Sequence, residues 1–176
     1  MFPYRIISRY GRYRTNKPTQ MLKIATYLDK SSINGIGVFA AEPIKRGQTV
    51  WEFNAAVDFV FSARQWKRKL TSVTPHARES LRRYSYKSGN KFYLCNDNSQ
   101  FMNHSETLNN ILNNSVNDSM YAARKIAIGE ELLCNYFEYS DEDDYHLAII
   151  RACTPGFHEQ AGSLDIPVMA LAKGLG

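Results

Sequence analysis

Two polar clusters stand among apolar residues in the second half of the chain. Asn103 and His104 directly follow Phe101 and Met102, and a Gly-Glu-Glu-Leu-Leu-Cys-Asn run ends on Tyr136. Polar groups beside apolar ones need hydrogen-bond partners, which the backbone or a ligand can supply. A tyrosine hydroxyl, with an ordinary pKa near 10, is a poor proton acceptor and is better suited to positioning a reacting group. For the Asn-His pair alone, a turn whose side chains bond their own backbone remains the simpler alternative.

A metal site is not indicated. His104 is a ligand type, but no second ligand lies at metal spacing. The three cysteines, Cys95, Cys134 and Cys153, are odd in number and show no paired spacing. This pattern favours neither a zinc site nor a disulfide framework, and it fits a reducing compartment. We therefore expect no bound metal.

Four short motifs occur in order along the chain. Residues 35–40 read Gly-x-Gly-Val-Phe-Ala, and residues 44–52 read Ile-x-x-Gly-x-x-Val-x-Glu. Residues 101–109 read Phe-x-Asn-His-Ser-x-x-x-Asn, and residues 129–136 read Gly-Glu-Glu-Leu-x-x-x-Tyr. Each motif is weak alone, but the ordered set resembles the SET-domain protein lysine methyltransferases over about residues 23–139.

The resemblance implies a fold and an activity. The fold is mostly β (α+β), the SET fold, with small curled β-sheets around a pseudoknot, a short helical insert and a C-terminal helix. The segment that ends in the catalytic tyrosine is expected to thread beneath a loop. The implied activity is methyl transfer from S-adenosyl-L-methionine to the side-chain amine of lysine in a protein. A basic, histone-like substrate is expected from the family and from the acidic run at 141–144.

The resemblance also assigns residues. Tyr136 matches the catalytic tyrosine, whose hydroxyl orients the methyl group and the amine. The implied cofactor-binding residues are Gly35, Ile36, Gly37, Phe101, Asn103, His104 and Tyr136. The expected substrate-channel residues are Tyr93, Cys134, Phe137 and Tyr139. A narrow apolar channel would lower the lysine pKa, ordinarily about 10.4, so that no strong base is required.

Four positions depart from the family pattern. Glu106 stands where members with a zinc-binding tail have cysteine, so the C-terminal helix is expected to close the channel instead. Gln100 replaces a usual arginine, which puts some cofactor contacts in doubt, and Asn135 replaces a common aspartate. Cys134 stands where Phe or Tyr is frequent, which favours a dimethylated or trimethylated product. The alternative is that Tyr93, Phe137 or Tyr139 fills the space beside Cys134.

The elements that must position these residues follow from local patterns. Strands are expected near residues 21–28, 48–53, 56–61, 91–95, 118–124 and 131–135, from their β-branched and aromatic content. Ser62 and Thr74-Pro75 predict the starts of two helices, over 63–70 and 76–84. A last helix is expected from Asp141 to Cys153, with its acidic residues in the first turn.

The whole chain divides into three expected regions. Residues 1–20 form a basic and aromatic N-terminal arm, 21–139 a SET catalytic domain with its helical insert at about 62–86, and 140–176 a C-terminal helix and tail that close the channel. At 176 residues and 44% hydrophobic, the chain suits a single compact core. No apolar run reaches the roughly 20 residues of a membrane span. A cytoplasmic or nuclear protein, with no membrane partner, is therefore expected.

Two other functional classes remain open at this point. One is a catalytically inactive SET-like module that binds peptide, against which the presence of Tyr136, Asn103 and both glycines argues. The other is a nucleic-acid-binding module, compatible with the moderate net charge of +5. Only the N-terminal arm argues for nucleic acid. The pattern predicts no oligomeric state.

Overall fold

A computed structural model describes residues 21–153. The expected N-terminal arm (1–20) and the tail (154–176) lie outside the described residues. The α-helices and strands, in chain order, are β1 (Thr26–Lys30), β2 (Ile36–Ala40), β3 (Thr49–Glu52), β4 (Phe59–Ser62), α1 (Ala63–Thr71), α2 (Pro75–Arg83), β5 (Ser85–Ser88), β6 (Lys91–Leu94), β7 (Asn103–His104), β8 (Ile111–Asn114), β9 (Ser119–Ala122), β10 (Leu133–Cys134) and α3 (Tyr145–Cys153). Among these helices none is long and apolar enough to cross a membrane. The fold is mostly β with three helices, as predicted.

The strands form three small sheets. β1 and β2 pair antiparallel, β4, β6 and β5 form an antiparallel sheet with β6 in the middle, and the largest sheet has the order β3-β9-β8-β10-β7. Fully buried aliphatic side chains from several segments pack between the sheets, and they include Val38, Ile44, Val50, Ile111, Ile126 and Leu132. No single sheet is large enough to bury both faces, so the sheets depend on one shared core.

The threading of β10 is the feature that builds the site. β10 lies between β7 and β8 and runs parallel to both, with Leu133 opposite Asn103 and Cys134 opposite Ile111. The loop that joins β7 to β8 therefore passes over β10. Backbone N–H groups at both ends of this loop, of Ser105 and Asn110, donate to β10 carbonyls at 3.0 Å. This is the expected threading of the tyrosine segment beneath a loop.

The two helices of the insert begin where the sequence predicts. The Ser62 hydroxyl accepts from the backbone N–H of Gln65, and the Gln65 side chain accepts from the Ser62 N–H in return, which is a capping box. Thr74 caps α2, and Pro75 occupies its first turn. Local capping chemistry therefore determines both starts.

Several strand boundaries differ from the predicted ones. The predicted first strand, 21–28, is split because the chain changes partner: Leu22 forms an isolated bridge with Trp51, whereas β1 pairs with β2. The predicted strand at 56–61 begins only at Phe59, since Asn54 and the Asp58 carboxylate first close a turn. β2, β5 and β8 were not predicted: β2 begins within the Gly-x-Gly turn, and β5 and β8 are rich in Ser, Lys or Asn.

The last helix begins at Tyr145, four residues later than predicted. The acidic residues before it do not form a helical first turn, because the chain uses them as acceptors. The Asp141 carboxylate accepts from the N–H groups of Gly89 and Asn90 at 2.8 Å, and the Asp143 carboxylate pairs with the Lys87 ammonium. Asp144, which is buried, accepts from the N–H groups of Lys87, His146 and Leu147. Three of the four acidic side chains thus join this loop to the β5–β6 hairpin or start α3.

Candidate active site

Tyr136 lies directly after β10, at the start of a short 3-10 helix, Tyr136–Glu138. Its hydroxyl donates to the Met102 carbonyl at 2.8 Å, and its backbone N–H donates to His104 Nδ1 at 3.1 Å. Burial raises the pKa of the Tyr136 phenol well above its ordinary value. The side chain is therefore a fixed, neutral hydroxyl whose proton is already donated, so its free lone pairs can only accept.

His104 is neutral near pH 7. Its Nδ1 accepts a hydrogen bond, and burial lowers the pKa of the imidazole, although the nearby Glu106 opposes this shift. Its ring lies 5.1 Å from the Tyr136 ring and 5.4 Å from the Phe137 ring, between centroids. His104 therefore supports the backbone and ring of Tyr136.

Asn103 connects three segments that are distant in sequence. Its side-chain Nδ2 lies 3.1 Å from the Asn34 carbonyl, 3.2 Å from the Ile36 carbonyl and 2.9 Å from Glu131 Oε1. An amide nitrogen has two protons, so these three acceptors share them. The predicted residues Gly35, Ile36 and Asn103 are thus brought together, and the side-chain nitrogen holds the glycine turn.

The two glycines of this turn are required for different reasons. Gly35 has φ +52°, which favours glycine, and a Cβ there would meet nothing within 4 Å. At Gly37, a Cβ would lie 2.1 Å from Glu131 Oε1. The Glu131 carboxylate is held there by Asn103 and by the Ser31 hydroxyl at 3.0 Å. Only glycine at 37 allows this carboxylate to lie against β2.

A cavity with about 580 Å³ of free space opens beside Tyr136. We call it the Tyr136 cavity; its lining includes Gln100, Met102, Cys134, Tyr136, Tyr139 and His146. Two of the four predicted channel residues, Cys134 and Tyr139, therefore line it together with Tyr136. Of the predicted cofactor-binding residues other than Tyr136, none lines it; Asn103 bonds the turn that contains Gly35, Ile36 and Gly37, and Phe101 packs edge-on against Tyr84.

The walls of the Tyr136 cavity are almost uncharged at neutral pH. Burial raises the pKa of the Cys95 and Cys134 thiols to about 12 and raises the pKa of the Tyr86 and Tyr139 phenols. Burial also lowers the pKa of His146. Among residues 21–153, no carboxylate lines the cavity, and Arg83 is the one permanently charged lining residue.

Two buried polar atoms at this cavity have no partner within the described part of the chain. They are the indole Nε1 of Trp51 and the hydroxyl of Ser140, and both residues line the Tyr136 cavity. Buried polar groups are normally hydrogen-bonded. These two atoms are therefore unsatisfied in the described part of the chain, next to the cavity that their residues line.

A second cavity, with about 650 Å³ of free space, lies on the other side of an aromatic wall. We call it the Tyr93 cavity; its lining includes Phe53, Tyr86, Tyr93, Asp118, Glu138 and Tyr139. It shares Trp51, Tyr86, Met120 and Tyr139 with the Tyr136 cavity. Tyr93, the third predicted channel residue, stacks on Tyr86 with ring centroids 5.1 Å apart. The Tyr93 cavity combines aromatic rings with two carboxylates, a lining that suits a cation.

Phe137, the fourth predicted channel residue, lines neither cavity. It is 37% exposed, packs on the His104 ring, and has the Arg151 guanidinium 5.8 Å from its ring centroid. The reason is local: the Asn135 side chain accepts from the Phe137 N–H and starts the 3-10 helix, which turns successive side chains in different directions. Phe137 therefore lies apart from the other three expected channel residues, and its role in a substrate channel stays a prediction.

Four groups that help to build the candidate site were not predicted from the sequence. They are the Met102 carbonyl, His146, the Glu131 carboxylate as a ligand of Asn103, and Asn110. Asn110 is 1% exposed, and its side chain bonds Glu130, the Glu131 carbonyl and the Leu133 N–H of the threaded segment. The only local signal was the position of Asn110 next to Asn109. Met102, Glu131 and His146 meet their partners through the fold alone.

Metal ligation has no support in residues 21–153, where no cluster of three or more His, Cys, Asp or Glu is arranged to hold an ion. Glu106, at the position of the missing cysteine, is exposed. Gln100, at the position of the usual arginine, does line the Tyr136 cavity.

Comparison with known proteins gives a family and a fold. A family model described as the SET domain matches residues 35–137. A sequence search among curated proteins found no significant match. Solved structures similar to this chain include Polycomb repressive complex 2 of Chaetomium thermophilum, with 23% identity and a TM-score of 0.51 over 70% of this chain and 16% of that chain.

Two further structures of that complex are similar. The apo form with mutations in Ezh2 is 25% identical, with a TM-score of 0.50 over 73% of this chain and 16% of that chain. An autoinhibited form bound to S-adenosylmethionine is 22% identical, with a TM-score of 0.50 over 73% of this chain and 17% of that chain. The chain spans about a sixth of the length of these matched chains. The likeness therefore concerns one domain of a larger protein.

Proposed function

Because the chain belongs to the SET-domain family, we propose that it transfers a methyl group to the side-chain amine of a lysine in a protein substrate. SET-domain methyltransferases use S-adenosyl-L-methionine, which supplies an electrophilic methyl group on a sulfonium. The observation that carries the proposal is the hydroxyl of Tyr136, which donates to the Met102 carbonyl beside a cavity without described carboxylates. The remaining roles belong to residues of the chain itself.

The role of Tyr136 is to position the reacting groups. Because its hydroxyl donates to the Met102 carbonyl, its lone pairs accept from the amine or from a polarised C–H group. Because burial raises its pKa, the Tyr136 phenol keeps its own proton at neutral pH. A neutral phenol is a poor base, so Tyr136 does not remove the proton of the lysine. Alignment of atoms roughly 3–3.5 Å apart is then the main catalytic contribution.

The uncharged walls serve a second purpose. Lysine must lose its proton before it can attack, and its ordinary pKa is about 10.4. A cavity without carboxylates disfavours the charged ammonium and lowers that pKa.

The two cavities suggest how the substrates approach. We assign the cofactor to the side of Tyr136 that carries Asn103, His104 and the turn at Gly35, Ile36 and Gly37, beside Phe101. The lysine enters through the Tyr93 cavity, where aromatic rings and the carboxylates of Asp118 and Glu138 attract the ammonium. Tyr86 and Tyr139, which line both cavities, separate this entrance from the Tyr136 cavity, where the amine would react.

A basic, histone-like protein remains the proposed substrate, on different grounds from those of the sequence. The acidic run at 141–144 is largely engaged within the chain, since only the Glu142 side chain lacks a described contact. Asp118 and Glu138 instead supply negative charge at the proposed entrance. α3 supports the expected closing role, because His146 of this helix lines the Tyr136 cavity.

The test compares two Tyr→Phe variants. Tyr136→Phe should reduce methyl transfer to a pool of histone peptides by about 100-fold or more, because alignment is lost, while cofactor binding by calorimetry is retained. Tyr145→Phe is the matched control, because its hydroxyl bonds Glu79 and lines neither cavity. Equal rates for wild type and Tyr136→Phe would refute the assignment. Cofactor binding without transfer by the wild type, over a broad substrate pool, would favour the inactive module.

A further inference from the structure

The helical insert concentrates positive charge. Residues 63–83 carry seven Lys or Arg and one carboxylate, Glu79, whereas the other residues of the range 21–153 carry nine cations and fourteen carboxylates. The described ion pairs use Lys23, Lys87 and Arg124, so no cation of the insert is paired within residues 21–153. The charge of the insert is therefore available to a partner.

Three of these cations share a groove between α1 and α2. We call it the insert groove; its lining is Ala63, Trp66, Lys67, Leu70, Thr71, Arg78, Arg82 and Phe92, with about 590 Å³ of free space. Within the described range 21–153, no acidic residue lines the groove, and Trp66, Leu70 and Phe92 give it an apolar floor. The charge of the groove therefore favours an anionic partner.

One cation of the groove is held in position. The Nε–H of Arg78 donates to the Leu70 carbonyl at 2.9 Å, where α1 ends and α2 begins. This bond uses one donor and leaves the two terminal NH₂ groups of the guanidinium. A guanidinium oriented in this way matches the geometry of a phosphate group.

The aromatic rings of the groove do not offer a free stacking face. Trp66 is 5% exposed and packs between Phe61, at 5.5 Å, and Phe92, at 5.1 Å between centroids. Stacking of unpaired bases, which single-stranded nucleic acid uses, is therefore unsupported. A duplex presents phosphates outward at about one charge per 1.7 Å and needs no stacking.

We propose that the insert groove binds the phosphate backbone of double-stranded nucleic acid without sequence preference. Lys67, Arg78 and Arg82 contact successive phosphates, and the remaining cations of α1 and α2 add long-range attraction. Arg82 lines this groove while the next residue, Arg83, lines the Tyr136 cavity. Bound duplex would therefore lie next to the proposed site of methyl transfer, although the binding itself does not depend on that activity.

The test measures binding of a fluorescent random-sequence DNA duplex to the full chain by anisotropy over a range of salt concentrations. Lys67→Gln/Arg82→Gln should weaken binding roughly tenfold and reduce the slope of log K against log salt by about 2. Lys45→Gln/Lys125→Gln is the matched control, with the same charge change on exposed residues outside the insert. Both double variants keep the basic residues of the N-terminal arm. Any binding through the arm therefore contributes equally to the two measurements.

Arg78→Gln tests the oriented guanidinium separately, with circular dichroism to verify that α1 and α2 remain folded. Equal losses for the two double variants would overturn the proposal, because binding would then depend on net charge alone. Equal affinity for polyglutamate of matched charge would also overturn it and assign the groove to an acidic protein. Methyl transfer to a free peptide should be unchanged in Lys67→Gln/Arg82→Gln. A loss of duplex binding is therefore distinguishable from a loss of methyl transfer.

Discussion

At the scale of single residues, Asn103 shows how one side chain can serve both the fold and the site. Its Nδ2 holds the carbonyls of Asn34 and Ile36 and the carboxylate of Glu131. Those three groups determine where the glycine turn lies relative to Tyr136. The family resemblance assigned Asn103 to the cofactor; the contacts indicate that it also positions the backbone proposed to meet the cofactor.

Asn103→Ala should weaken S-adenosylmethionine binding by about 1–3 kcal/mol and lower the free energy of unfolding by a similar amount, because two backbone carbonyls and the half-buried Glu131 carboxylate lose a donor. Titration calorimetry and urea unfolding measure the two effects. Asn109→Ala is the control, since no contact of its side chain is described within residues 21–153. Unchanged cofactor affinity in a folded Asn103→Ala protein would remove this residue from the site.

The space beside Cys134 concerns the number of methyl groups added. The Cys134 thiol lies 3.5 Å from the Tyr139 hydroxyl, and both side chains line the Tyr136 cavity. Tyr139 thus fills part of the space that the small cysteine leaves, which is the alternative that the sequence left open. Cys134 leaves space and Tyr139 fills part of it, so the number of methyl groups on the product tests the roles of both residues.

We expect the wild type to reach a dimethylated product, Cys134→Tyr to stop at one methyl group, and Tyr139→Phe to shift product towards three. The physical reason is that each hydroxyl beside the amine occupies volume and can hold a hydrogen bond that opposes further methylation. Mass spectrometry of a peptide product during linear turnover measures the distribution. A wild type that stops at one methyl group would contradict the small-residue argument.

At the scale of elements, the loop before α3 depends on Asp144. This 2% exposed carboxylate accepts from the N–H groups of Lys87, His146 and Leu147, at 2.7, 2.8 and 3.4 Å. It therefore starts the helix and attaches it to β5. Because α3 carries His146 into the Tyr136 cavity, the position of the helix affects the site as well as stability.

Asp144→Ala should lower the free energy of unfolding by about 2–3 kcal/mol, since a helix cap and a buried acceptor are lost together. Urea unfolding measures this change. Glu142→Ala, which removes an exposed carboxylate of the same run, should change it by less than about 0.5 kcal/mol. Equal effects of the two substitutions would show that general acidity of the run, rather than the Asp144 contacts, is what matters.

The elements also show what the sequence could predict. Both insert helices begin at the predicted caps, because Ser62 and Thr74 act on residues three positions away. β8 and the late start of α3 could not be predicted in this way, since an Asn-rich strand and an acidic loop are stabilised by distant partners. The same division applies to the site: motif residues such as Asn103 and Tyr136 could be named, whereas the Met102 carbonyl and His146 required the threaded fold.

At the scale of the whole molecule, the fold places an imidazole from each of two distant segments against the ring of Tyr136. His104 comes from β7 and His146 from α3, with ring centroids 5.1 and 5.6 Å from that of Tyr136. Burial lowers the pKa of both imidazoles; at His146 burial outweighs the Asp144 carboxylate and the Ser85 carbonyl, which both raise the pKa. Both histidines are therefore neutral in the folded protein at neutral pH.

This arrangement predicts how stability depends on pH. A histidine whose folded pKa lies below its unfolded value of about 6.5 binds fewer protons when folded, so the free energy of unfolding rises with pH up to about that value and is then constant. Between about pH 5 and 6.5 most carboxylates are already ionised, so the slope in this window belongs mainly to His104 and His146.

Urea unfolding at several pH values should show this rise in the wild type. The rise should be largely absent in His104→Gln/His146→Gln and unchanged in His76→Gln, whose side chain is exposed on α2. A slope that persists in the double variant would mean that the buried carboxyls, rather than the two imidazoles beside Tyr136, control the acid sensitivity of the fold.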